Sequence, residues 1–155
     1  MTYCFDTSAL IHAAVRAYPF KNVPTFWTKL EDLITNGHVL CPRAVIKEIE
    51  KKDDELHTWV KKCPSSMTVE HDLATQAVVS QIMADSVMSR LVNIERDRSG
   101  ADPFVIGLAK SRGLILVTQE DREKTGAPKI PNVAELLGVK HIKLVDLMIA
   151  EDWVL

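Results

Sequence analysis

Residues 1–11 read M-T-Y-C-F-D-T-S-A-L-I, and this stretch decides the expected fold. The apolar run from Tyr3 to Phe5 is typical of a short buried strand. Asp6 follows directly, and the hydroxyl residues Thr7 and Ser8 favour a helix start. A carboxylate therefore lies where a strand passes into a helix. That edge of an open α/β sheet is where ligands bind, although a single aspartate there more often only caps the helix.

The composition predicts one globular domain over residues 1–155. Apolar residues make up 46% of the chain and charged residues 26%, which is ordinary for a soluble protein. The net charge of −2 gives no general attraction to nucleic acid, so such binding would need a local patch. Three cysteines without a C-x-x-C pair or zinc spacing predict reduced thiols. With no membrane-length apolar run and no basic leader before Tyr3, we expect a cytoplasmic protein without membrane contact.

Short apolar runs alternate with helical periodicity along the rest of the chain. Strands are predicted at His38–Cys41, Leu114–Val117 and His141–Leu144. The helices are predicted at 26–34, at Arg43–Lys51 with Pro42 in first position, around Leu56–Val60, over the long region Thr68–Ile94, after an Asp102 N-cap, around Val133–Leu137 and around Leu147–Ile149. This alternation predicts an α/β fold, a three-layer α/β/α sandwich with a mostly parallel central sheet.

Four acids occupy comparable positions on the predicted sheet, namely Asp6, Glu48, Asp102 and Glu120. Asp6 ends the first strand, Glu120 lies just past another strand, and Asp102 caps a buried helix. Glu48 lies on the flank of a helix that follows a strand. Carboxylates that converge repel one another, and burial forces some of them to hold protons. Mg²⁺ or Mn²⁺ removes that cost, and such an ion can activate a water to attack a phosphodiester. The alternative is that these are four unrelated surface acids.

Four segments resemble, in order, the successive acidic motifs of PIN-domain nucleases. They are D-T-S-A-L-I, C-P-R-A-V-I-K-E-I-E, A-D-P-F-V-I-G-L-A and V-T-Q-E. Together with the K-I-P-N-V and F-W segments, they are most similar to a bacterial and archaeal branch related to VapC-like toxins. The resemblance runs from Thr2 to near Trp153. It implies a PIN-like fold, metal-dependent cleavage of an RNA substrate, and a role as the toxin paired with a small antitoxin protein, or as a related RNA-processing enzyme.

The resemblance also assigns roles to residues. Asp6, Glu48 and Asp102 match the three metal-holding acids, Ser8 matches a supporting hydroxyl, and Thr118 matches the polar residue before the fourth acid. Asp6 and Asp102 would be the principal ligands of Mg²⁺ or Mn²⁺, while Glu48 would be a ligand or orient the water.

The fourth acidic position departs from the family pattern. Many members have an aspartate two residues after the threonine, whereas this chain has Glu120 with Asp121 beside it. Glutamate is longer by one methylene, so either Glu120 or Asp121 would complete a second, more labile metal position.

Basic residues lie near these acids in the sequence and are candidates for a positive rim that holds RNA. They are Lys51, Lys52, Arg96, Arg98, Arg122, Lys124 and Lys129. The alternative is that they are ordinary solvated charges.

Two other functions stay open on the sequence alone. A small-molecule phosphatase could use Asp6 as nucleophile, but Ser8 stands where haloacid-dehalogenase-like enzymes carry a second aspartate. The altered fourth acid also fits a non-catalytic PIN-like module that binds RNA or protein. The apolar face predicted for Thr68–Ile94 would support a homodimer.

Overall fold

The computed structural model describes residues 1–92 and 100–155. Within them, five strands form one sheet in the order β3-β2-β1-β4-β5, and every neighbouring pair is parallel. The strands are β1 (Tyr3–Phe5), β2 (Val39–Pro42), β3 (Thr68–Val69), β4 (Ile115–Val117) and β5 (His141–Ile142). Successive residues of β1 point to opposite faces of the sheet, and all three are fully buried. Both faces of the sheet are therefore covered, and the predicted α/β architecture is confirmed.

Eight α-helices connect and cover these strands within the described residues. They are α1 (Thr7–His12), α2 (Pro24–Thr35), α3 (Arg43–Glu50), α4 (Glu55–Lys62), α5 (Leu73–Ala84), α6 (Asp102–Arg112), α7 (Ile130–Leu136) and α8 (Leu144–Ala150). A π-helical turn, Ala13–Ala17, extends α1, and 3₁₀ turns occur at Ser65–Met67 and Met88–Leu91. In the described part of the chain, no helix has both the length and the apolarity needed to cross a membrane.

The strand order creates a crevice beside β1. From β1 the chain builds β2 and β3 on one side, and it later adds β4 and β5 on the other. The order therefore reverses between β1 and β4, and ligands of open α/β sheets bind outside the carboxyl ends of strands at such a point. Asp6 directly follows β1 and Thr118 directly follows β4. The topology thus brings together two residues that are far apart in the sequence.

The prediction of one long helix over Thr68–Ile94 is wrong. Thr68–Val69 pairs with β2 as a strand, α5 covers only Leu73–Ala84, and residues 93–94 lie outside the described part of the chain. Asp85 interrupts the helix because its carboxylate accepts hydrogen bonds from the backbone amides of Val87 and Met88. Of the predicted apolar face, the structure buries Ile82, Met88 and Leu91 but leaves Leu73 84% exposed.

The start of each predicted site helix also differs from the prediction. Asp6 is the N-cap of α1 and makes no side-chain capping bond, so Thr7 and Ser8 are helical residues rather than caps. Asp102 is the first residue of α6, and Ala101 takes the cap position that was predicted for it. Pro42 ends β2 and is the N-cap of α3, not its first residue. The other strand limits agree with the predictions within two residues.

Candidate functional site

Asp6 is the centre of the site at the crevice between β1 and β4. Its side chain is only 2% exposed. The hydroxyl of Ser8 donates a hydrogen bond to Asp6 Oδ2 at 2.5 Å, and the hydroxyl of Thr118 donates to the same oxygen at 3.0 Å. The two hydroxyl oxygens are 3.3 Å apart. Two elements that are distant in the sequence therefore hold one buried carboxylate.

The surroundings of Asp6 make its ionisation unfavourable. The pKa of this carboxyl is raised to about 7. Burial is the largest cause, and the negative charges of Glu120 and Glu48 act in the same direction. The hydrogen bonds from Ser8 and Thr118 lower the pKa and offset part of that cost. The fold of the metal-free protein therefore favours the neutral form of the Asp6 carboxyl more than water does. A pKa displaced this far in a crevice is typical of functional groups.

Glu48 lies on α3 and is held by the first helix. The hydroxyl of Thr7 donates a hydrogen bond to Glu48 Oε2 at 2.6 Å, and Glu48 is partly buried. The D-T-S segment thus uses its two hydroxyls on two different carboxylates, Thr7 on Glu48 and Ser8 on Asp6. The sequence analysis missed this role of Thr7. Its only signal was the position of a hydroxyl beside Asp6, which is equally typical of a helix cap.

The structure separates the two candidates for the fourth acid. Glu120 is partly buried, accepts a hydrogen bond from the backbone amide of Ile130 at 3.1 Å, and acts on the pKa of Asp6 through its charge. Asp121 is exposed and pairs with Lys143, which holds the pKa of Asp121 below its usual value. Glu120 therefore belongs to the group around Asp6, whereas Asp121 is engaged by a lysine that the sequence analysis did not single out.

Asp102 reaches the same edge of the sheet through α6. This helix ends at Arg112, three residues before β4 begins at Ile115, so its C-terminus lies at the amino edge of the sheet. It packs against β1, where the Cys4 thiol contacts the carbonyl oxygen of Val105 at 3.7 Å. The N-terminal end of α6 therefore points to the carboxyl edge, with Asp102 as its first residue and only 6% exposed.

The predicted acids do not form a ready-made metal-binding group. Among residues 1–92 and 100–155, no three His, Cys, Asp or Glu side chains are arranged so that they could hold a metal ion. The chemistry of the donors nonetheless suits Mg²⁺ or Mn²⁺, because the groups gathered at Asp6 are carboxylate and hydroxyl oxygens. The buried Asp6 with its raised pKa is the observation that fits a cation at this edge.

A cleft of about 590 Å³ opens beside Glu48. Its walls are mainly apolar and come from α1 with the π-helical turn and the loop that follow it, and from α3 and α4, with Val15, Phe20 and Leu56 among the lining residues. Lys51 and Lys52 lie on its rim. Of the predicted basic rim, these two lysines are therefore placed next to a site acid.

The remaining basic residues of the predicted rim are placed differently. Arg122 forms an ion pair with Glu135 at 2.9 Å, Lys124 is exposed, and Lys129 is partly buried as the N-cap of α7. Arg96 and Arg98 lie outside the described residues. Among the described residues, Lys51 and Lys52 line the cleft beside Glu48, and Lys129 directly precedes Ile130, whose backbone amide binds Glu120.

Comparison with known families accounts for almost the whole chain. Residues 3–155 match the family described as "Domain of unknown function (DUF4411)". The chain belongs to the DUF4411 family. No curated protein matches this DUF4411 sequence.

Three solved structures share the fold of this DUF4411 domain. VapBC2 from Rickettsia felis, bound to a DNA fragment from its promoter, matches with a TM-score of 0.59 and 12% identity, covering 92% of this chain and 98% of that chain. DNA-bound VapBC from Salmonella typhimurium matches with a TM-score of 0.57 and 16% identity, over 92% and 98% of the two chains. FitAcB from Neisseria gonorrhoeae matches with a TM-score of 0.55 and 16% identity, covering 91% of this chain and 96% of that chain. The expected resemblance to VapC-like PIN domains is confirmed for the fold.

Proposed function

We propose that this DUF4411 domain is a metal-dependent endoribonuclease that hydrolyses RNA phosphodiester bonds with the help of Mg²⁺ or Mn²⁺. The observation that carries the proposal is the buried Asp6 carboxyl, whose pKa is raised to about 7 beside Glu48 and Glu120. Keeping several carboxylates together at the edge of a sheet is costly unless a cation neutralises them. A divalent metal supplies that charge, polarises the phosphate and activates a water.

The residues of the chain divide the work as follows. Asp6 and Asp102 are the principal ligands, and the hydroxyls of Ser8 and Thr118 orient Asp6 through its Oδ2. Glu48, held by Thr7, is a further ligand or positions the attacking water. These supporting hydrogen bonds fix the side chains in advance, which is how supporting groups around metal ligands act in general.

Glu120 takes the fourth acidic position in this proposal. Its backbone amide donates a hydrogen bond to the hydroxyl oxygen of Thr118, and its carboxylate accepts one from the Ile130 amide. The negative charge of Glu120 also acts on the pKa of Asp6. Asp121 is left out because its carboxylate is paired with Lys143. Glutamate is longer by one methylene than the aspartate of the family pattern, so the metal position near Glu120 is the more labile one.

RNA is held on this negative edge by nearby lysines. Lys51 and Lys52 follow Glu48 on the rim of the same cleft and can neutralise phosphates next to the reacting one. The overall charge of −2 makes this local pair necessary, because the whole molecule does not attract polyanions.

We further propose that the enzyme is the toxin of a toxin–antitoxin pair, controlled by a small antitoxin protein in the cytoplasm. The support is the order of the four acidic motifs and the shared fold with the VapBC and FitAcB structures. In a cell, the wild-type chain would then stop growth when expressed alone, and an Asp6→Asn chain would not.

A non-catalytic binding module is the second candidate, and one observation favours it. The described residues hold no group of three His, Cys, Asp or Glu side chains arranged for a metal. A scaffold that has lost its site would bind RNA without cleaving it, and it would bind no Mn²⁺ at millimolar concentrations. Hydrolysis of a small phosphomonoester without RNA cleavage would instead favour a phosphatase with Asp6 as nucleophile.

Cleavage of RNA by matched variants tests the proposal. Asp6→Asn and Asp102→Asn should each abolish Mn²⁺-dependent cleavage, because each removes a negatively charged ligand while keeping the side-chain shape. Asp121→Asn is the control, and it should cleave as the wild type does because Asp121 faces Lys143. Undiminished cleavage by Asp6→Asn, or no cleavage by a folded wild type with any divalent metal, would refute the proposal.

A further inference from the structure

The cleft beside Glu48 is larger and more apolar than a site for a metal ion alone would need to be. Its volume of about 590 Å³ lies in the range of roughly 300 to 1,000 Å³ that is typical of ligand pockets. Ile11 and Val15 line the cleft and are 44% and 68% exposed. Apolar surface that is open to water and rimmed by polar residues is typical of a binding groove. The cleft therefore suits an apolar group of a ligand that also reaches Glu48.

Phe20 supplies an aromatic wall of this cleft and is itself held in place. Its ring stacks on the indole of Trp27, with ring centroids 3.9 Å apart and an angle of 19° between the planes. The ring of Trp59 lies 6.2 Å from it at a tilt of 50°. The Trp27 indole donates a hydrogen bond to the carbonyl oxygen of Tyr18 at 2.7 Å. The Trp59 indole donates one to Glu31 at 2.6 Å. The half-buried ring of Phe20 is thus oriented before any ligand binds.

The charged residues of the cleft fit a nucleotide better than a peptide of one charge. Both signs line it, namely Lys21, Lys51 and Lys52 together with Glu48, Asp54 and Glu55. A nucleobase is neutral and flat, with apolar faces and polar edges, so neither sign repels it. The phosphates on either side of the base stay outside the cleft, where the lysines can contact them. Single-stranded RNA is recognised in this way, by stacking its unpaired bases on aromatic rings.

We propose that the cleft binds one unpaired base of a single-stranded RNA, which stacks on Phe20 next to the phosphodiester that lies at Glu48. The inference rests on the proposed nuclease function, because Glu48 both lines the cleft and belongs to the acids around Asp6. Every base has a face that can stack, so the cleft selects unpaired RNA and not a particular sequence. Duplex RNA is excluded, because its bases are already paired and stacked within the helix.

Two hexamers of equal charge test the pocket. One is oligoadenylate, and the other is the same chain of sugar phosphates without bases. Their affinities are measured by fluorescence anisotropy with a chelator present, so that no metal-dependent cleavage occurs. The wild type should bind oligoadenylate more tightly by roughly tenfold to a hundredfold, the range that stacking of one base on an aromatic ring contributes.

Phe20→Leu should bring this affinity ratio close to one, because leucine keeps an apolar side chain but removes the ring. Phe26→Leu is the matched control. Phe26 belongs to the same aromatic cluster, with its ring centroid 5.2 Å from that of Trp27, but it is fully buried and does not line the cleft. This variant should keep the wild-type ratio, so general damage to the aromatic cluster is separated from loss of the stacking ring.

Equal binding of the two hexamers by the wild type would overturn the pocket. A preference for oligoadenylate that Phe20→Leu leaves unchanged would also overturn it, and that result is expected if an apolar protein segment occupies the cleft instead of RNA. The pocket and the nuclease activity fail separately. A wild type that cleaves RNA with Mn²⁺ but does not distinguish the hexamers refutes only the pocket. One that distinguishes them through Phe20 but cleaves nothing refutes only the nuclease activity.

Discussion

At the scale of single residues, the D-T-S segment supplies Asp6 and two hydroxyls, and the sequence alone could not give both of their hydrogen-bond partners. Asp6 was predicted from its place after β1, and the structure keeps it there as a buried carboxylate. The family resemblance predicts Ser8 as a supporting hydroxyl, and it donates a hydrogen bond to Asp6. Thr7 is predicted only to favour the helix start, yet it donates a hydrogen bond to Glu48. Both roles use a hydroxyl at the start of a helix, so the sequence could not distinguish them. The partner of each hydroxyl comes from the tertiary fold.

The raised pKa of Asp6 has a measurable effect on the stability of the metal-free protein. Because the folded pKa is about 7 and the ordinary value is 3.8, the folded state binds more protons than the unfolded state between these values. The contribution of Asp6 to the free energy of unfolding is therefore fully present below about pH 4 and is lost as the pH rises through about 7. Each pKa unit of difference corresponds to about 1.4 kcal/mol.

Urea unfolding of the wild type and of Asp6→Asn, with a chelator present, measures this effect. We expect the difference in unfolding free energy between the two proteins to change with pH in that window, in favour of Asp6→Asn at the higher pH. Carboxylates that do not interact with Asp6 titrate equally in both proteins and cancel in the difference. A difference that does not vary with pH would mean that the pKa of Asp6 is not raised.

The sequence alone could not decide whether Glu120 or Asp121 takes the fourth acidic position. The two residues are adjacent, and both follow the same strand. What separates them is the position of Lys143 and of the Ile130 amide, which come from the segments before α8 and at the start of α7. Neither contact has a signature in the sequence around Glu120.

At the scale of elements, the sequence predicted strands and helices well where a single apolar run decided them. It was wrong over Thr68–Ile94, where a helical period was read across a two-residue strand and across Asp85. Strand β3 exists because it pairs with β2, which is a contact between distant segments. A helical period carries no information about such a pairing, so the error had a definite physical source.

The contact of α5 with α6 predicts an unusual response at Gly107. Replacing a glycine inside a helix by alanine normally stabilises the helix by about 1 kcal/mol. Here the new Cβ would lie 3.0 Å from the backbone oxygen of Thr75, so α5 would have to move. We expect Gly107→Ala to lose stability and Gly107→Val to lose more, by roughly 1 to 3 kcal/mol in thermal or urea unfolding. A gain of stability in Gly107→Ala would contradict this expectation, because it would show that α5 can give way by the few tenths of an ångström that the new Cβ requires.

At the scale of the whole molecule, the alternation of strands and helices was enough to predict a parallel sheet, but not the strand order. The order β3-β2-β1-β4-β5 places Thr118 beside Asp6, although 112 positions separate them in the chain. The family resemblance had already predicted that Thr118 and Asp6 belong to the same site, because both residues lie in the family's acidic motifs. Residue types alone would have left Thr118 as an ordinary strand-end hydroxyl.

The charge distribution of the molecule predicts how RNA binding depends on salt. A double variant Lys51→Ala/Lys52→Ala should bind RNA more weakly than the wild type, because it removes the basic pair on the rim of the cleft beside Glu48. The slope of log affinity against log salt should fall by about 0.7 for each lysine that contacts a phosphate of single-stranded RNA.

Lys61→Ala/Lys62→Ala is the matched control for that measurement. It removes two adjacent exposed lysines at the end of α4, outside the rim formed by Lys51 and Lys52. Its RNA affinity and salt slope should equal those of the wild type. Equal losses in both double variants would mean that RNA is attracted by general charge and not by the cleft.

The central claim is that a divalent cation is held by the Asp6 carboxylate, and calorimetric titration with Mn²⁺ tests it most directly. Asp6 has a pKa of about 7 in the metal-free protein, so a metal that uses it as ligand must displace a proton at or below neutral pH. Titrations of the wild type in buffers of different ionisation enthalpy should therefore reveal Mn²⁺ binding with proton release. Asp6→Asn should lose both the binding and the release. Mn²⁺ binding that is equally strong in Asp6→Asn, or a folded wild type that binds no Mn²⁺ at millimolar concentrations, would contradict the account.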